Sequence, residues 1–392
     1  MMRRCIAIRY EDSPHPHEVR IAWLLDGRPW LRCFVRSHGT PLRATGDALL
    51  CFGLLPALEL GCDLSIEAPV DRGLLSSSAA VQRLVGGWTP GCSPITVTAP
   101  ATDTDYADCR GHGCFFSGGV DSSYSLAVNK HVLDGLVTLI GCDVDVTDRG
   151  RAAWLAGIAH GAGSTYGLEP IIVETDLPRQ MHPYLGWIEY HGSALAGFRH
   201  LLADRFATMR IAASVDSSSM WDVPWGSHPG IDPQLGTGGA AIMLDGTVPR
   251  PEKIVRLLDE PALLADLRVC YHGGRNCGTC KKCVLTRVYL AVLGGGRRIP
   301  SFPPEMPALS DAALRIPDIS VRTDMVILRA AALGGAGFNP LVARIDRELA
   351  EFDRRRGSLL ERLRQRLKVK ERMRRGRHRQ RLARFSQVRE RP

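Results

Sequence analysis

Residues 115–123, Phe-Phe-Ser-Gly-Gly-Val-Asp-Ser-Ser, constrain the fold of this chain more than any other stretch. They continue a short apolar run, residues 113–116, of the kind that forms a buried parallel strand. Because glycine has no Cβ, two consecutive glycines allow several backbone N–H groups to approach a ligand closely. The positive end of the helix predicted from Asp121 points at the same place. The stretch therefore predicts a strand, a phosphate-binding turn and a helix.

Apolar strands and helical segments alternate after this turn. Strands are predicted at residues 136–141, 170–174 and 209–214, and helices at residues 151–163 and 191–206. Strands separated by helices give right-handed crossovers and a parallel sheet with helices on both faces. The predicted fold class is α/β and Rossmann-like, with ligands beyond the carboxyl ends of the strands.

A cluster of four cysteines is the second informative motif. Its members are Cys270, Cys277, Cys280 and Cys283. Three thiols at two-residue gaps, with a fourth seven residues earlier, can close the tetrahedral thiolate site that structural zinc favours. A disulfide used in redox chemistry or sulfur transfer and an iron–sulfur cluster are the alternatives left open.

Together the two motifs resemble those of the PP-loop ATP pyrophosphatases, whose loop reads Ser-Gly-Gly-x-Asp-Ser. The cysteine spacing is similar to that of the 7-cyano-7-deazaguanine synthase branch, and the resemblance covers about residues 110–295. It implies an adenine nucleotide alpha hydrolase-like fold, with ATP and Mg²⁺ bound and AMP transferred to a substrate oxygen. The residues implied in nucleotide binding are Ser117, Gly118, Gly119, Val120, Asp121 and Ser122. Asp143, which follows the next predicted strand, is a further candidate that could bind magnesium or ribose, although surface aspartates after a strand are common.

The resemblance fails where that branch holds its substrate. The branch has Asp-x-Ser-x-Tyr-Pro-Asp-Cys-Arg, whereas this chain has Ser-Val-Asp-Ser-Ser-Ser-Met-Trp at residues 214–221. A different acceptor is therefore expected. Residues 225–239 are interpreted as a substrate or lid loop. His228 in that loop is a candidate catalytic residue with Ser117 and Asp121, although a structural histidine is an equal alternative.

The leading functional hypothesis is an ATP-dependent adenylate-forming ligase or synthase. It would activate a carboxylate or amide oxygen of a small or peptide-borne acceptor for attack by ammonia or another nucleophile. A tRNA-modifying sulfurtransferase of the PP-loop class is the alternative, favoured by the cysteines and by a basic tail. A nucleotide sensor without enzymatic activity is a third reading.

Three regions are predicted along the 392 residues: an N-terminal α/β accessory module at 1–105, the PP-loop domain with its zinc knuckle at 106–300, and a helical, Arg-rich segment at 301–392. The first module would serve positioning or dimerisation, and a homodimer is one expected assembly. Residues 341–392 carry 19 Lys and Arg against 7 Asp and Glu, a surplus of 12 that leaves −3 for residues 1–340 out of the total of +9.

Because the positive charge is concentrated in residues 341–392, RNA contact is expected only through this tail. The tail contains few aromatic residues on which bases could stack. The first residues lack the pattern of a signal peptide, and no uncharged apolar run reaches the length of a membrane span. Twelve cysteines without an export signal favour reduced thiols. A cytoplasmic protein without a membrane partner is therefore expected.

Overall fold

The structure, a computed structural model, describes residues 3–88, 92–104, 110–214, 216–217, 226–270, 275–294, 299–304, 311–335, 337–357, 380 and 385. The strands are β1 (Cys5–Glu11), β2 (Glu18–Leu25), β3 (Arg28–Ser37), β4 (Asp63–Ile66), β5 (Val70–Asp71), β6 (Val97–Thr98), β7 (Ala101–Thr102), β8 (His112–Phe115), β9 (Gly135–Ile140), β10 (Glu169–Thr175), β11 (Thr208–Ala212) and β12 (Ala241–Asp245).

The helices alternate with these strands through the middle of the chain. They are α1 (Gly46–Leu60), α2 (Arg72–Trp88), α3 (Val120–Asn129), α4 (Arg149–Tyr166), α5 (Leu177–Met181), α6 (Trp187–Leu201), α7 (Arg250–Leu257), α8 (Pro261–Ala265), α9 (Lys281–Leu293), α10 (Asp311–Leu314), α11 (Ile319–Leu333) and α12 (Asn339–Gly357). A 3₁₀ turn covers Asp232–Leu235.

One ten-stranded sheet runs through the protein in the order β12-β11-β8-β9-β10-β3-β2-β1-β4-β6. The five strands from β12 to β10 are parallel to one another. This confirms the predicted α/β class, and it brings the carboxyl ends of β8, β9 and β11 to one edge. Strand β12, which the sequence analysis did not predict, is short and follows a glycine-rich segment.

The N-terminal strands extend the same sheet. β3 pairs antiparallel with β10, where Val173 lies opposite Ser37. Asp26-Gly27 is a sequence signal for a hairpin turn, and the structure confirms the hairpin. β2 pairs antiparallel with β3, and Asp26 and Gly27 have the positive φ values, 52° and 79°, that such turns require. The accessory module predicted at residues 1–105 thus shares a sheet with the residues that follow it.

Helices cover both faces of the sheet. On one face α1 packs against α6, with the rings of Phe52 and Phe198 5.1 Å apart. The other face carries α4, α7, α9 and α11. Helix α6 begins four residues earlier and ends five residues earlier than predicted, and residues 202–205 form turns instead. This earlier start places a turn of α6 at the carboxyl edge of the sheet.

The C-terminal segment packs on the body as far as residue 357. Leu341 and Ile345 of α12 are buried in the core beside α11, and Arg329 of α11 pairs with Asp346. Further along, Phe385 is buried against Trp30, with ring centroids 5.2 Å apart. The arginine-rich residues 374–379, on which the predicted RNA contact rests, lie outside the described residues. Among the described helices, none combines the length and apolarity that a bilayer span requires.

Candidate active site

The glycine-rich stretch forms the predicted strand, turn and helix. β8 ends at Phe115, Gly118 has φ 67°, and α3 begins after Gly119, whose N-cap position has no side-chain hydrogen bond. A Cβ at Gly118 would lie 3.1 Å from Ile158 Cγ2 in a conformation that L-residues rarely adopt. A glycine is therefore needed there, and the N-terminal N–H groups of α3 stay available for an anion.

Serine hydroxyls hold this loop in shape. Ser122 Oγ accepts a hydrogen bond from the Ser117 backbone N–H at 3.2 Å and donates to Gly119 O at 3.3 Å. Ser117 Oγ lies 3.3 Å from Ser122 Oγ. The next serine, Ser123, is buried and lines a separate, smaller cavity with Gly118 and Ile158, and its hydroxyl has no partner within the described part of the chain.

A cavity of about 1000 Å³ opens in front of the loop. It lies at the carboxyl edge of β8, β9 and β11, and its other walls come from α6, α9 and the cysteine cluster. This volume is at the upper end of the roughly 300–1,000 Å³ found for small-molecule sites, which leaves room for a second reactant beside a nucleotide. Residues that the sequence analysis selected line it, namely Ser117, Gly119, Val120, Asp121, Ser122, Asp143, Cys270 and Cys280.

Asp121 is held by two cations from α7. Its Oδ1 accepts from Lys253 Nζ at 2.7 Å, and its Oδ2 accepts from Arg250 Nη2 at 3.0 Å. Lys253 also donates to Ala213 O at 2.7 Å, and its side chain is 2% exposed. Burial alone would raise the pKa of Asp121, but Arg250 and Lys253 outweigh it and hold that pKa below its usual value. Asp121 is therefore ionised at neutral pH.

Arg268 fastens the same loop from the opposite side. Its backbone N–H donates to Gly118 O at 2.7 Å, its Nε donates to Ser117 O at 2.9 Å, and its Nη2 donates to Asp143 Oδ2 at 2.7 Å. The side chain is 6% exposed. The guanidinium thus joins the turn after β8 to the end of β9, and it adds positive charge beside the glycine turn.

Further cations and a buried acid complete the polar wall. Arg250, Lys281 and Lys282 line the cavity with Arg268. Asp324 Oδ1 accepts from the Arg250 backbone N–H at 2.9 Å, and burial raises the pKa of Asp324 to about 6. The polar wall is rich in cations, which suits a triphosphate.

Four thiols converge beside the cavity, as predicted. The ligand atoms of Cys270, Cys277, Cys280 and Cys283 all lie within 4.8 Å of one another. Cys277 Sγ is 3.9 Å from Cys283 Sγ, and Cys280 Sγ is 4.0 Å from Cys270 Sγ. Zn–S bonds of about 2.3 Å put the sulfurs of a tetrahedral site about 3.8 Å apart. The cluster therefore fits a single metal ion such as zinc.

Hydrogen bonds fix the backbone around the four cysteines in the conformation that brings their thiols together. Asn276 Oδ1 accepts from the backbone N–H groups of Val269 and Cys270, and its Nδ2 donates to Leu267 O at 2.7 Å. The Cys280 backbone N–H points at Cys277 Sγ at 3.3 Å. Such N–H···S contacts stabilise a thiolate, the form that binds metal.

The structure does not bring His228 to the loop. His228 is 1% exposed and is not among the residues that line the cavity. Its Nδ1 accepts from the Gly230 backbone N–H at 3.0 Å, and its ring meets the edge of Trp88 with centroids 4.7 Å apart. Its surroundings match the structural alternative, so a catalytic role for His228 stays a prediction without a place at the site.

Several residues of the site were not selected from the sequence. They are Arg250, Lys253, Arg268, His191 and Asp324. The stretch at residues 247–255 resembles the one that PP-loop enzymes have before their metal knuckle, and this signal could have pointed to Arg250 and Lys253. Nothing in the local sequence marks Arg268 or Asp324, because their partners lie more than 30 residues away along the chain. His191 contacts Trp187 and Ile188 on its own helix, and the sequence leaves a structural and a catalytic role equally open for it.

The chain was compared with models of protein families, with curated proteins and with solved structures, and it matches none of them. What it does is therefore inferred from its own residues.

Proposed function

We propose that the protein is an ATP-dependent adenylate-forming enzyme of the PP-loop type, which splits ATP into AMP and pyrophosphate. The observation that supports this best is the open N-terminus of α3 behind a glycine turn, facing a large cavity with a cation-rich wall. A phosphate chain binds where backbone N–H groups and the helix dipole converge. The acceptor would occupy the rest of the cavity.

The chemistry follows from where the positive charge lies. An acceptor oxygen attacks the α-phosphate, the bond between the α- and β-phosphates breaks, and pyrophosphate departs with the electron pair. Fixed N–H dipoles of the loop and the guanidinium groups of Arg250 and Arg268 would stabilise the charge that develops on this leaving group. The acceptor then carries AMP, which a nucleophile displaces far more readily than it would displace an unactivated oxygen.

Asp121 would act through the cations that it holds. Its carboxylate fixes Arg250, which lines the cavity, so that this guanidinium needs little reorganisation when phosphate arrives. The buried Lys253 in turn fixes the carboxylate. Magnesium accompanies nucleoside triphosphates and would neutralise part of their charge. Asp121 and Asp143 are the acidic groups nearest the loop, and each would bind such an ion only in exchange for part of its present contacts.

Zinc would have a structural role in this proposal. Four thiols complete a tetrahedral ion and leave no open position for chemistry. Because Cys270 and Cys280 also line the cavity, the ion would hold one wall of the site in place.

Identifying the products of ATP cleavage tests the proposal directly. Purified protein is incubated with ATP, Mg²⁺ and a panel of aliphatic, aromatic and heteroaromatic carboxylic acids. Exchange of labelled pyrophosphate into ATP is then measured without any amine. We expect AMP and pyrophosphate as products, and exchange that depends on at least one acid. Formation of ADP and phosphate instead would overturn the proposal.

Two neighbouring serines supply a matched pair of variants. Ser122→Ala removes a hydroxyl that shapes the loop, and we expect it to slow pyrophosphate release about tenfold or more. Ser123→Ala makes the same chemical change one residue later, at a serine that does not line the large cavity and whose hydroxyl has no partner in the described part of the chain. It should stay within about twofold of the wild type. Equal effects of the two changes would contradict the assignment of the loop.

A sulfurtransferase is a second candidate because two thiols of the cysteine cluster, Cys270 and Cys280, line the same cavity as the loop. In that case a cysteine would carry sulfur to the adenylated atom. The four-sulfur geometry argues for a bound ion instead, and an ion would keep these thiols from acting as carriers. One zinc per chain that persists through turnover would decide against sulfur transfer. Transfer of labelled sulfur from Cys270 or Cys280 would decide for it.

A further inference from the structure

Asp324 is a polar residue of the large cavity that lies outside the stretch resembling the PP-loop enzymes, about residues 110–295. It belongs to α11, where Val321, three residues earlier on the same helix face, lines the cavity with it. Asp324 is 6% exposed. The C-terminal segment predicted at residues 301–392 therefore contributes a buried carboxyl group to the candidate active site.

This carboxyl group joins three helices. Asp324 Oδ1 accepts from the backbone N–H of Arg250, the first residue of α7, at 2.9 Å. Its Oδ2 accepts from the hydroxyl of Tyr289 in α9 at 3.4 Å. Tyr289 is fully buried and also lines the cavity. The first turn of α7 is thus fixed by a residue of another helix.

Helix α7 has no side chain of its own to cap this N–H group. The first N–H groups of a helix have no partner within the helix, and the cap position holds Pro249, which makes no side-chain hydrogen bond. Asp324 supplies the acceptor from α11. A negative charge at this end of a helix is also favoured by the helix dipole.

Arg250 is consequently held at both ends by carboxyl groups. Its backbone N–H donates to Asp324, and its Nη2 donates to Asp121 Oδ2 at 3.0 Å. A shift in the first turn of α7 would move the guanidinium that lines the cavity. Because a misplacement of about 1 Å can lower a rate about 100-fold, the contact with Asp324 bears on catalysis as well as on folding.

The charged and titratable groups that face Asp324 come from three elements. Helix α7 contributes the cations Arg250 and Lys253, α9 contributes the hydroxyl of Tyr289, and the segment after β11 contributes the carboxylate of Asp216. Asp216 Oδ2 also accepts from an α11 hydroxyl, Ser320 Oγ, at 2.7 Å. The acids of α12 that contact α11 pair instead with its arginines, Asp346 with Arg329 and Asp353 with Arg322.

These surroundings make the charge of Asp324 sensitive to pH near neutrality. Burial raises the pKa of Asp324 to about 6, while Arg250 and Lys253 oppose this rise and Asp216 adds to it. Asp324 is therefore mostly ionised at pH 7 and mostly protonated at pH 5. Hydrogen bonds to an ionised acceptor are roughly twice as strong as those to a neutral one, so the contact with the Arg250 N–H weakens as the pH falls through 6.

We infer that Asp324 is a positioning residue of the adenylation step, which fixes the first turn of α7 so that the Arg250 guanidinium meets the departing pyrophosphate. This inference rests on the proposed adenylation. Asp324 forms no bond to a reactant and exchanges no proton with one, so the bonds made and broken are those already given for that step. Its effect is carried by Arg250.

The pH dependence of pyrophosphate exchange tests this role. With the acid that best supports exchange, kcat/KM of the wild type for ATP should fall as the pH is lowered from 7.5 to 5, with a midpoint near 6. Asp324→Asn keeps an acceptor oxygen for the Arg250 N–H but cannot ionise. The fall with a midpoint near 6 should be absent in this variant.

The kinetic parameters of the same variant separate positioning from ATP binding. Charge on the leaving pyrophosphate develops only in the transition state, so a misplaced Arg250 should lower kcat more than it changes KM. At pH 7.5 we expect kcat of Asp324→Asn about tenfold below that of the wild type and KM for ATP within about threefold.

Asp353→Asn is the matched control. It removes another carboxylate that contacts α11, through Arg322 at 2.9 Å, and neither residue lines the cavity. Its kcat should stay within about twofold of the wild type, and the fall near pH 6 should remain. Melting temperatures report how far each variant destabilises the protein.

The outcomes distinguish this inference from the proposal on which it rests. A wild-type profile without a group near pH 6, or equal losses of kcat in Asp324→Asn and Asp353→Asn, would overturn the role of Asp324. So would an Asp324→Asn variant with the wild-type rate and profile. If Asp324→Asn does not fold, Asp324→Glu decides, because its carboxyl group should preserve the pH dependence at a reduced kcat. If no acid supports exchange in the wild type, the proposed adenylation fails and this inference falls with it.

Discussion

Two polar segments of this protein look alike in sequence and differ in what surrounds them. The loop at residues 117–122 and the segment at residues 226–236 each contain at least two glycines, a serine and one aspartate. Asp121 in the first lies between Lys253 and Arg250 at the edge of the cavity. Asp232 in the second is fully buried, and its carboxyl oxygens accept hydrogen bonds from Ser227 and from the backbone of His228.

The difference shows how the environment of a carboxyl group separates a binding site from a structural one. The pKa of Asp121 is lowered despite its burial because two cations contact it. Burial raises the pKa of Asp232 to about 7, and its hydrogen bonds to Ser227 and His228 offset this only in part. A charged group at a cavity can act on a ligand, whereas a carboxyl group buried among neutral donors stabilises its own loop.

The largest expected effect on stability and activity concerns the cysteine cluster, which lies in the cavity wall beside the loop at residues 117–122. Cys280→Ser removes one of four thiolates, and structural zinc sites contribute folding free energy directly. We expect loss of the bound zinc, a lower melting temperature and loss of pyrophosphate release. Cys5→Ser, in strand β1, is the control and should retain zinc. Metal analysis by mass spectrometry checks both, and a zinc-free wild type would contradict the prediction.

Exchanging the two aspartates for asparagine tests the comparison itself. Asp121→Asn leaves Lys253 buried without its counter-charge, which typically costs about 3–5 kcal/mol of stability. We expect pyrophosphate release to fall about 100-fold or more in the fraction that remains folded. Asp232→Asn should change the rate less than twofold. Similar rates for the two variants would remove the distinction between the segments.

The pH dependence of stability sharpens the account of Asp232. Its folded pKa of about 7 exceeds the unfolded value of about 3.9. Its protonated form therefore stabilises the fold below pH 4, and this contribution is lost as pH rises through 7. Asp232→Asn removes this titrating group, so the variant should not lose stability in this way as the pH rises. Its free energy of unfolding relative to that of the wild type should therefore increase by about 2–4 kcal/mol between pH 4 and 8.

Urea unfolding at a series of pH values measures this difference. The amide introduced by Asp232→Asn would keep the contacts to Ser227 and to the His228 backbone N–H, so the loop itself should be preserved. A difference that does not change with pH would show that Asp232 is already ionised in the native state.

The smallest expected effect is that of His228. His228→Asn keeps an acceptor for the Gly230 N–H but loses the contact with the Trp88 ring, worth about 0.5–1.5 kcal/mol. Stability should fall by about that amount, and pyrophosphate release should stay within about twofold. A tenfold loss of activity at unchanged stability would instead support a catalytic role for His228.

The sequence predicted the parts of the fold whose causes are local. The turn at Gly118 and the Asp26-Gly27 hairpin depend on backbone conformations that few residues adopt, and the cysteine spacing sets how four thiols can meet. The continuation of the sheet from β10 to β3 could not be predicted, because that pairing joins residues more than 100 positions apart. The same reason applies to Arg268, whose partners Ser117 and Asp143 are distant in sequence.

The sequence by itself determined the strand–turn–helix around the glycine loop at residues 117–122 and the set of thiols that can hold a metal, since both depend on residue type and short spacing. Only the tertiary structure decided which polar residues share the cavity. It placed Lys253 and Arg250 on Asp121, brought His191 into the wall, and buried His228 elsewhere. The physical reason is that charge pairing and burial depend on distances across the sheet, which residue type and short spacing do not specify.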